Sequence, residues 1–431
     1  MSSFMLGSAV IARAPVFGFM RQKHKLYMQI DYLSDKRLTW QKWLWPCVSL
    51  LCVMLAAGCK KSDETPSGGA VTGTSGGGGE PIKIGEFASL TGKEATFGVS
   101  SDEGTVLGVE QINSTGGVLG KKLELLKEDD LSKAGEAATA VNKLISRDGV
   151  VAILGEVASS RSLEAAPICQ QSKIPMISPS STNPKVTQTG DYIFRVCFID
   201  PFQGTVMANF AATTLKAKKV AIFTDVKSDY SIGLAKFFKE GFLAKGGQIT
   251  AELTYSGGDK DFKAQLTEIK SGGPDAVFVP GYYTDVALIC IQAKQLNLSA
   301  PLFGGDGWES DQLVKIGQDA VEGDYFSTHY APDEDTPQSK SFVAAYEKKF
   351  NGKAPDAMAA LGYDSVMLLA DAIKRAGSTD GAKVRDALAA TKDYQGVTGQ
   401  TSINAQRDAT KPAVILQVKD GKFKYIETVN P

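Results

Sequence analysis

From Pro81 onward, short apolar runs alternate with amphipathic stretches, and this alternation limits the possible folds more than any other feature of the chain. Several runs are almost continuously apolar, as expected of parallel strands that are covered on both faces. Between them, stretches such as 134–147 place their apolar residues on one stripe, which is typical of a helix. The predicted strands are 82–87, 123–127, 150–155, 174–178, 220–224, 276–280 and 302–304.

The repeated strand–helix units predict an α/β fold built from doubly wound parallel sheets. The roughly 350 residues that follow residue 80 are more than one such sheet usually holds, so we expect two lobes. Ser100 and Glu103 have the spacing of a capping box, which predicts the start of the first helix at this point.

The first 58 residues have the layout of an export signal rather than of a folded domain. Basic residues between 36 and 42 precede an apolar run at 43–57, which ends in small residues before Cys59. This ending resembles the bacterial lipobox, and the resemblance implies that Cys59 is lipidated. A retained membrane helix is the alternative, but the run is shorter than the roughly 20 residues that a span needs. Translation starting at Met28 is equally compatible with this layout.

Residues 59–80 are predicted to be a flexible tether. From Ser62 to Glu80 the chain consists mostly of Gly, Ser, Thr and Pro, with almost nothing apolar to bury. A lipid anchor followed by a tether would hold the folded part close to a membrane surface without inserting it. We therefore expect a periplasmic or cell-surface location, with the lipid anchor as the only membrane contact.

Charge and cysteine content exclude several classes of function. The net charge of the 431-residue chain is −1, and no basic stripe follows the N-terminal region, so nucleic acid is not an expected partner. With two histidines and no metal-binding spacing, neither a metal nor a cofactor is expected. Three cysteines lie beyond the export segment. Cys169 and Cys197 could form a disulfide in an oxidising compartment, or these two and Cys290 could be separate buried thiols.

The residues that directly follow the predicted strands are the candidates for function. In open α/β sheets, ligands bind outside the carboxyl ends of the strands and next to helix N-termini. These positions are rich in small and polar residues, and they comprise 155–160, 178–184, 225–233, 281–285 and 304–308.

Residues 81–431 resemble the leucine/isoleucine/valine-binding protein family, the type I periplasmic solute-binding proteins of branched-chain amino acid ABC transporters. The resemblance rests on three segments in the same order: 82–92, 112–120 and the Ser-Pro-x-x-Thr-Asn-Pro run at 178–184. It implies a ligand held between two lobes by lobe closure and passed to transporter permease subunits. A monomer that binds an aliphatic amino acid is the expected form.

An amino acid presents a carboxylate and an ammonium group on one carbon, and the two need different partners. Hydroxyls and backbone N–H groups at a helix N-terminus suit the carboxylate. Ser159 and Thr182 occupy such positions and are similar to the family's carboxylate-binding hydroxyls. The alternative for Ser159 is that it only caps its helix.

The ammonium group needs acceptors. Asp306 lies between glycines after a predicted strand, where the family usually has an acidic residue. A turn aspartate without a ligand is the alternative. Ser180 could share the ammonium through its carbonyl or hydroxyl, and it makes the pocket more polar than the alanine of some relatives.

Aromatic residues are expected to cover the ligand. Tyr230 resembles the family's lid tyrosine, and Tyr282 is expected to act likewise, with the adjacent Tyr283 as the alternative. Phe97 stands where the family often has an aromatic wall beside the ligand side chain. For the tyrosines a place on the surface or in the core without ligand contact is the alternative, and for Phe97 a place in the core.

The resemblance also implies how the chain divides. The N-terminal lobe would comprise 81–200 with 330–390, and the C-terminal lobe would comprise 201–329 with 391–431. Three crossings of the chain between the lobes would form the hinge.

Other functions on the same fold are less well supported by the sequence. A Gly-x-Ser-x-Gly elbow is absent, and His329 is the only histidine after the export segment, so we do not expect an enzyme. A ligand-sensing module on this fold is the main alternative. Another small amino acid, an amide or a carboxylate is an alternative ligand.

Overall fold

Two large β-sheets organise the protein in the computed structural model, which describes residues 79–332 and 336–431. The described residues lie within one compact unit. The predicted export signal, the lipidation at Cys59 and the predicted tether up to residue 78 lie outside the described residues.

Fifteen strands occur in the described residues. They are β1 Ile82–Ala88, β2 Leu123–Asp129, β3 Ile153–Leu154, β4 Met176–Ser178, β5 Ile193–Arg195, β6 Lys219–Asp225, β7 Gln248–Tyr255, β8 Ala276–Phe278, β9 Leu302–Gly304, β10 Tyr325–Thr328, β11 Tyr394–Gly396, β12 Gly399–Ile403, β13 Ala409–Thr410, β14 Ala413–Lys419 and β15 Lys422–Val429.

Twelve α-helices occur in the same part of the chain. They are α1 Ala95–Ser114, α2 Glu136–Lys143, α3 Ser159–Ser172, α4 Lys185–Gln188, α5 Asp200–Thr213, α6 Asp229–Ala244, α7 Lys263–Ser271, α8 Tyr283–Gln295, α9 Asp311–Gly317, α10 Pro337–Lys349, α11 Ala357–Ala376 and α12 Gly381–Ala389. A π-helical turn, Leu144–Asp148, continues α2, and short 3-10 turns lie at Asp306–Trp308 and Gln318–Ala320.

The first sheet has the strand order β2-β1-β3-β4-β5, and all its pairs are parallel. Neighbouring residues of one strand pack into different hydrophobic clusters. Ile153 and Met176 belong to one cluster, whereas Leu154 and Ile177 belong to the other. Both faces are therefore covered, which explains why these strands are apolar without interruption.

The second sheet has the order β15-β14-β10-β9-β8-β6-β7. Its strands from β10 to β7 are parallel, and β14 and β15 extend it in antiparallel pairing. Here too the faces alternate, because Val277 packs into one cluster and Ala276 and Phe278 pack into another. The prediction of an α/β fold with two parallel sheets is confirmed.

The chain passes between the two sheets three times. It leaves the first sheet after β5, returns after β10 to α10 and α11, and crosses again between β13 and β14. Helix α11 packs along α1 of the first sheet. The small sheet β11-β12-β13 also packs there, since Ile403 and Ala409 belong to a cluster of the first sheet.

The start of the first helix differs from the prediction. Helix α1 begins at Ala95, and Ser100 lies inside it, so the predicted capping box at Ser100 and Glu103 is wrong. The Ser100 hydroxyl instead donates a hydrogen bond to Asp356 Oδ1 at 2.5 Å. The Ser100 side chain therefore bonds to a residue far along the chain instead of capping a helix as the local pattern predicted.

All three cysteines of the described region are free and buried. Cys169 and Cys197 do not form a disulfide in this structure. Burial raises the pKa of each of these two thiols to about 12, so both are protonated and unreactive at neutral pH.

Candidate functional site between the two sheets

The carboxyl edge of the first sheet brings Ser159 and Thr182 together. Ser159 opens α3 just after β3, and Thr182 lies in the loop after β4; both are fully buried. The Ser159 hydroxyl accepts a hydrogen bond from the backbone N–H of Asn183 at 3.2 Å. The N-cap of α3 is Ala158, so Ser159 does not act as a capping side chain here.

Asp306 is the acidic residue at the facing edge of the second sheet. It follows β9 and is 4% exposed. Its Oδ1 accepts from Gln203 Nε2 at 2.8 Å, and its Oδ2 lies 3.0 Å from His329 Nε2. The hydroxyl of Ser180, from the first sheet, donates to the same Oδ2 at 3.5 Å. Residues predicted from two separate strand ends therefore meet.

Two glycines allow the chain to pass close to its neighbours on either side of Asp306. A Cβ at Gly305 would lie 2.6 Å from the hydroxyl of Tyr230, and a Cβ at Gly307 would lie 2.6 Å from the Gly281 carbonyl oxygen. Both distances are shorter than real contacts allow, so only glycine fits without displacement of backbone or site residues.

The predicted lid tyrosine lies directly over this segment. Tyr230 is near the start of α6, is buried, and accepts a hydrogen bond from Gly307 N–H at 3.1 Å. Its ring stacks on Tyr282 with centroids 5.2 Å apart and an interplanar angle of 17°. Tyr282 in turn meets the edge of Phe97 at 5.8 Å. The three predicted aromatic residues thus form one wall.

The structure distinguishes the two adjacent tyrosines. The Tyr283 hydroxyl donates to the carbonyl of Lys93, which lies between β1 and α1, at 3.0 Å. Tyr282 instead stacks on Tyr230, next to the Asp306 loop.

Burial, and to a smaller extent the nearby carboxylates, raise the pKa of Tyr230 and Tyr282 well above 10, so both hydroxyls are neutral.

Direct contacts hold the two edges together. Ser160 on α3 donates to Asp229 Oδ2 at 3.0 Å and accepts from Asp229 N–H at 3.0 Å. The hydroxyls of Thr96 and Ser310 lie 2.9 Å apart. The two edges are therefore in direct contact beside the site residues.

Asp200 was not predicted as a site residue. It opens α5 at the first crossing, and its N–H donates to the Thr182 carbonyl at 2.9 Å. Burial raises its pKa to about 8, with Asp306 adding to the effect, although the Thr182 hydroxyl lies close enough to lower the pKa. By strict hydrogen-bond geometry, neither its carboxylate oxygens nor Thr182 Oγ1 has a partner among residues 79–332 and 336–431.

A buried ionic cluster beside the site was also missed by sequence reasoning. Arg161 on α3 bonds to Glu94, which precedes α1, and lies 3.4 Å from Glu156 and 3.6 Å from Asp130. Burial raises the pKa of Glu156 to about 7 even though Arg161 opposes this. The cluster ties the start of α1, and with it Phe97, to α3.

His329 and Gln203 are further partners of Asp306 that the sequence did not indicate. His329 lies directly after β10 and Gln203 lies on α5, and only the fold brings them to the loop after β9. For Glu156 a signal existed, because it directly follows β3.

A cavity of about 610 Å³ opens beside this region, lined among others by Thr96, Ser310, Asp356 and Phe423. Neither Ser159, Thr182 nor Asp306 lines it. In the described part of the chain, no group of three or more His, Cys, Asp or Glu side chains is placed to hold a metal.

A sequence profile of the family described as periplasmic binding protein matches residues 81–422. The chain belongs to the periplasmic binding protein family. This membership confirms the resemblance inferred from the strand-end motifs, and it implies a periplasmic location. No helix among the described residues is long and apolar enough to cross a membrane.

Relatives of this periplasmic binding protein are known as amino acid binders. The leucine-, isoleucine-, valine-, threonine- and alanine-binding protein of Pseudomonas aeruginosa is 32% identical over 331 residues, covering 76% of this chain and 87% of that protein. The relatives are substrate-binding proteins of transporters and not enzymes, and this chain is a solute-binding protein of the same kind.

Solved structures show the same architecture. The leucine-binding protein LivK of Thermotoga maritima MSB8 is 43% identical with a TM-score of 0.79, covering 81% of this chain and 99% of that one. The branched-chain amino acid transporter substrate-binding protein LivJ of Streptococcus pneumoniae, in complex with isoleucine, is 36% identical with a TM-score of 0.77, covering 82% and 100%.

Proposed function

We propose that this periplasmic binding protein captures an aliphatic, branched-chain amino acid between its two lobes and delivers it to the permease subunits of an ABC transporter. One observation carries the proposal. The buried hydroxyls of Ser159 and Thr182 and the buried carboxylate of Asp306, which are the groups that a zwitterion needs, lie at facing edges of the two sheets, and Ser180 contacts Asp306 between these edges at 3.5 Å.

In this proposal the first lobe binds the ligand carboxylate. Ser159 lies at the N-terminus of α3, where backbone N–H groups and the helix dipole favour negative charge. Thr182 adds a buried hydroxyl from the neighbouring loop. Neither position carries a full positive charge, which suits a carboxylate whose own ammonium lies close by.

The second lobe supplies the acceptor for the ammonium group. Asp306 is almost fully buried, so its charge is poorly screened and a cation beside it is strongly favoured. Ser180, from the first lobe, is placed to share that cation. A carboxylate ligand without an ammonium group would leave the Asp306 charge without this partner.

The aromatic wall favours an apolar ligand side chain. Phe97 and Val157 are buried in one hydrophobic cluster together with Met358, and Tyr282 packs against it. An aliphatic side chain that enters beside this cluster gains roughly 25 cal/mol for each Å² of apolar surface buried. Tyr230 would close over the ligand from the second lobe.

The lobes act in this proposal as a hinged pair that folds around the ligand. We propose a division into 81–200 with 330–411 and 201–329 with 412–431. The boundary is placed after β13, rather than at the initially expected 390, because Ile403 and Ala409 pack with the first lobe. The export signal, lipidation at Cys59 and a monomeric state complete the proposal.

A thermal-shift screen of the purified protein against common amino acids tests the proposed function. A ligand at one hundred times its Kd should add about 2.7 kcal/mol to the free energy of unfolding. We expect L-leucine, L-isoleucine or L-valine to give the largest shift. Stabilisation by no amino acid at all would contradict the proposal.

Two leucine analogues test whether both charged groups of the ligand contribute to binding. 4-Methylpentanoate lacks only the ammonium group of leucine, and 3-methylbutylamine lacks its carboxylate. Both should stabilise the protein far less than leucine. Equal stabilisation by 4-methylpentanoate would instead favour binding of simple carboxylates.

A further inference from the structure

His329 lies at the second crossing, directly after β10, and is 2% exposed. Its Nε2 is 3.0 Å from Asp306 Oδ2 and 3.4 Å from the Ser180 hydroxyl. The imidazole stacks on Phe198 with ring centroids 3.8 Å apart. One face of the ring therefore packs against Phe198, and its Nε2 contacts the carboxylate that is proposed to bind the ligand ammonium.

The contacts of Asp306 determine which ring nitrogen carries the proton. An ionised carboxylate only accepts hydrogen bonds, so Nε2 must donate to Asp306. In the neutral ring, Nδ1 then carries no hydrogen. Nδ1 is buried and has no hydrogen-bond partner in the described part of the chain. A second proton on the ring would place an N–H donor where nothing accepts from it.

We propose that His329 is a positioning residue that holds the Asp306 carboxylate for the ligand ammonium through its Nε2–H, and that protonation of the ring weakens amino acid binding. The inference rests on the proposed function. Protonation would weaken binding because the imidazolium and the ligand ammonium would compete for one carboxylate and would repel each other in a buried site.

Charged groups from three other segments surround the pair of His329 and Asp306. Burial lowers the pKa of His329 below its ordinary 6.5, Asp306 opposes this, and Lys411 between β13 and β14 adds to it. Asp200, at the start of α5, and Glu309, after β9, interact with the Asp306 charge. Burial raises the pKa of both acids, and since that of Asp200 reaches about 8, Asp200 is largely protonated in the acidic range where His329 titrates.

The sign of the pH effect follows from this arrangement. Above the pKa of His329 the ring is neutral and no longer opposes the binding of the ligand ammonium. Below it the ring is charged in the free protein, and a ligand ammonium must displace that proton, so binding releases a proton and Kd rises. One titrating group changes Kd by up to about tenfold for each pH unit.

Two variants separate positioning from packing. His329→Gln keeps an N–H donor for Asp306 but does not titrate. His329→Phe keeps a ring on Phe198 but lacks the donor. Calorimetric titration of the purified protein with L-leucine between pH 4.5 and 8 should show Kd rising below pH 6.5 in the wild type. We expect a flatter profile in His329→Gln, and a Kd about tenfold higher at pH 7.5 in His329→Phe.

Proton NMR provides an independent readout, because the chain contains only two histidines and His329→Gln assigns the second signal. The signal of His329 should titrate below pH 6.5, and further down when L-leucine is bound. A pH-independent Kd in the wild type, or an unchanged pH profile in His329→Gln, would overturn the inference while leaving leucine binding intact. Failure of the wild type to bind any amino acid would overturn the proposed function itself, and this inference with it.

Discussion

Replacing Asp306 with asparagine removes the charge that the ligand ammonium is proposed to meet, while the shape of the side chain is kept. Two unit charges about 4 Å apart interact by about 4 kcal/mol at the effective dielectric constant typical of proteins. Removing one partner of a buried charge pair typically costs 2–5 kcal/mol. Asp306 is 4% exposed, so water screens it little. We expect a loss of about 2–4 kcal/mol, which is a Kd for L-leucine raised roughly 30- to 700-fold.

Isothermal titration calorimetry with L-leucine measures this change, and Asp324→Asn is the matched control. Asp306 follows the carboxyl end of β9, whereas Asp324 accepts a hydrogen bond from Leu302 N–H at the amino end of the same strand, at 3.0 Å. Both acids are buried. Asp324→Asn should leave Kd unchanged. A Kd within about threefold of the wild type in Asp306→Asn would refute the assignment of the ammonium site.

Three further changes have defined outcomes. Thr182→Val should raise the Kd for L-leucine about tenfold in calorimetry because a hydroxyl partner is lost, whereas Thr182→Ser should bind nearly normally. Equal Kd values for the two variants would contradict a ligand role for the hydroxyl. Burial raises the pKa of Asp324 from 3.8 to about 8, so its contribution to stability is complete below pH 3.8 and is lost as pH rises through 8. A pKa difference of one unit corresponds to about 1.4 kcal/mol, so the free energy of unfolding of Asp324→Asn should rise above that of the wild type by up to a few kcal/mol between pH 5 and 8. Urea unfolding measures this difference, and a difference that does not change with pH would count against the prediction. Peptides containing Cys169 and Cys197 should be alkylated by iodoacetamide only after unfolding, and mass spectrometry showing rapid labelling of the native protein would disprove their burial.

Strands with both faces buried were the most predictable part of the fold. The predicted run 302–304 coincides with β9, and the others overlap observed strands, because a continuous apolar run has few alternatives between two helical layers. Strand β5 ends in Arg195, and β7 at the sheet edge alternates polar with apolar residues and is half exposed, so neither is a continuous apolar run. Such strands are defined by their neighbours rather than by their own composition.

The misplaced helix start has a similar cause. Ser100 and Glu103 have the local spacing of a capping box, but Asp356 lies 256 residues further along the chain and takes the Ser100 hydroxyl. Local propensity was therefore overridden by a tertiary contact. The sequence around Ser100 does not indicate its contact with Asp356.

The polar residues of the candidate site were predicted from their positions after strands. Ser159, Ser180, Thr182 and Asp306 were found in this way, because parallel strands end at one edge of a sheet. Gln203 hydrogen-bonds to Asp306 from 103 residues away and lies on a helix rather than at a strand end. Such partners support the ligand-facing groups and become visible only when the chain is folded.

A crystal structure of the protein grown with L-leucine tests the central claim most directly. The account predicts the leucine ammonium within hydrogen-bond distance of Asp306, its carboxylate beside Ser159 and Thr182, and its side chain against Phe97. Leucine bound elsewhere, or a gap between the sheets that stays empty at saturating leucine, would contradict it.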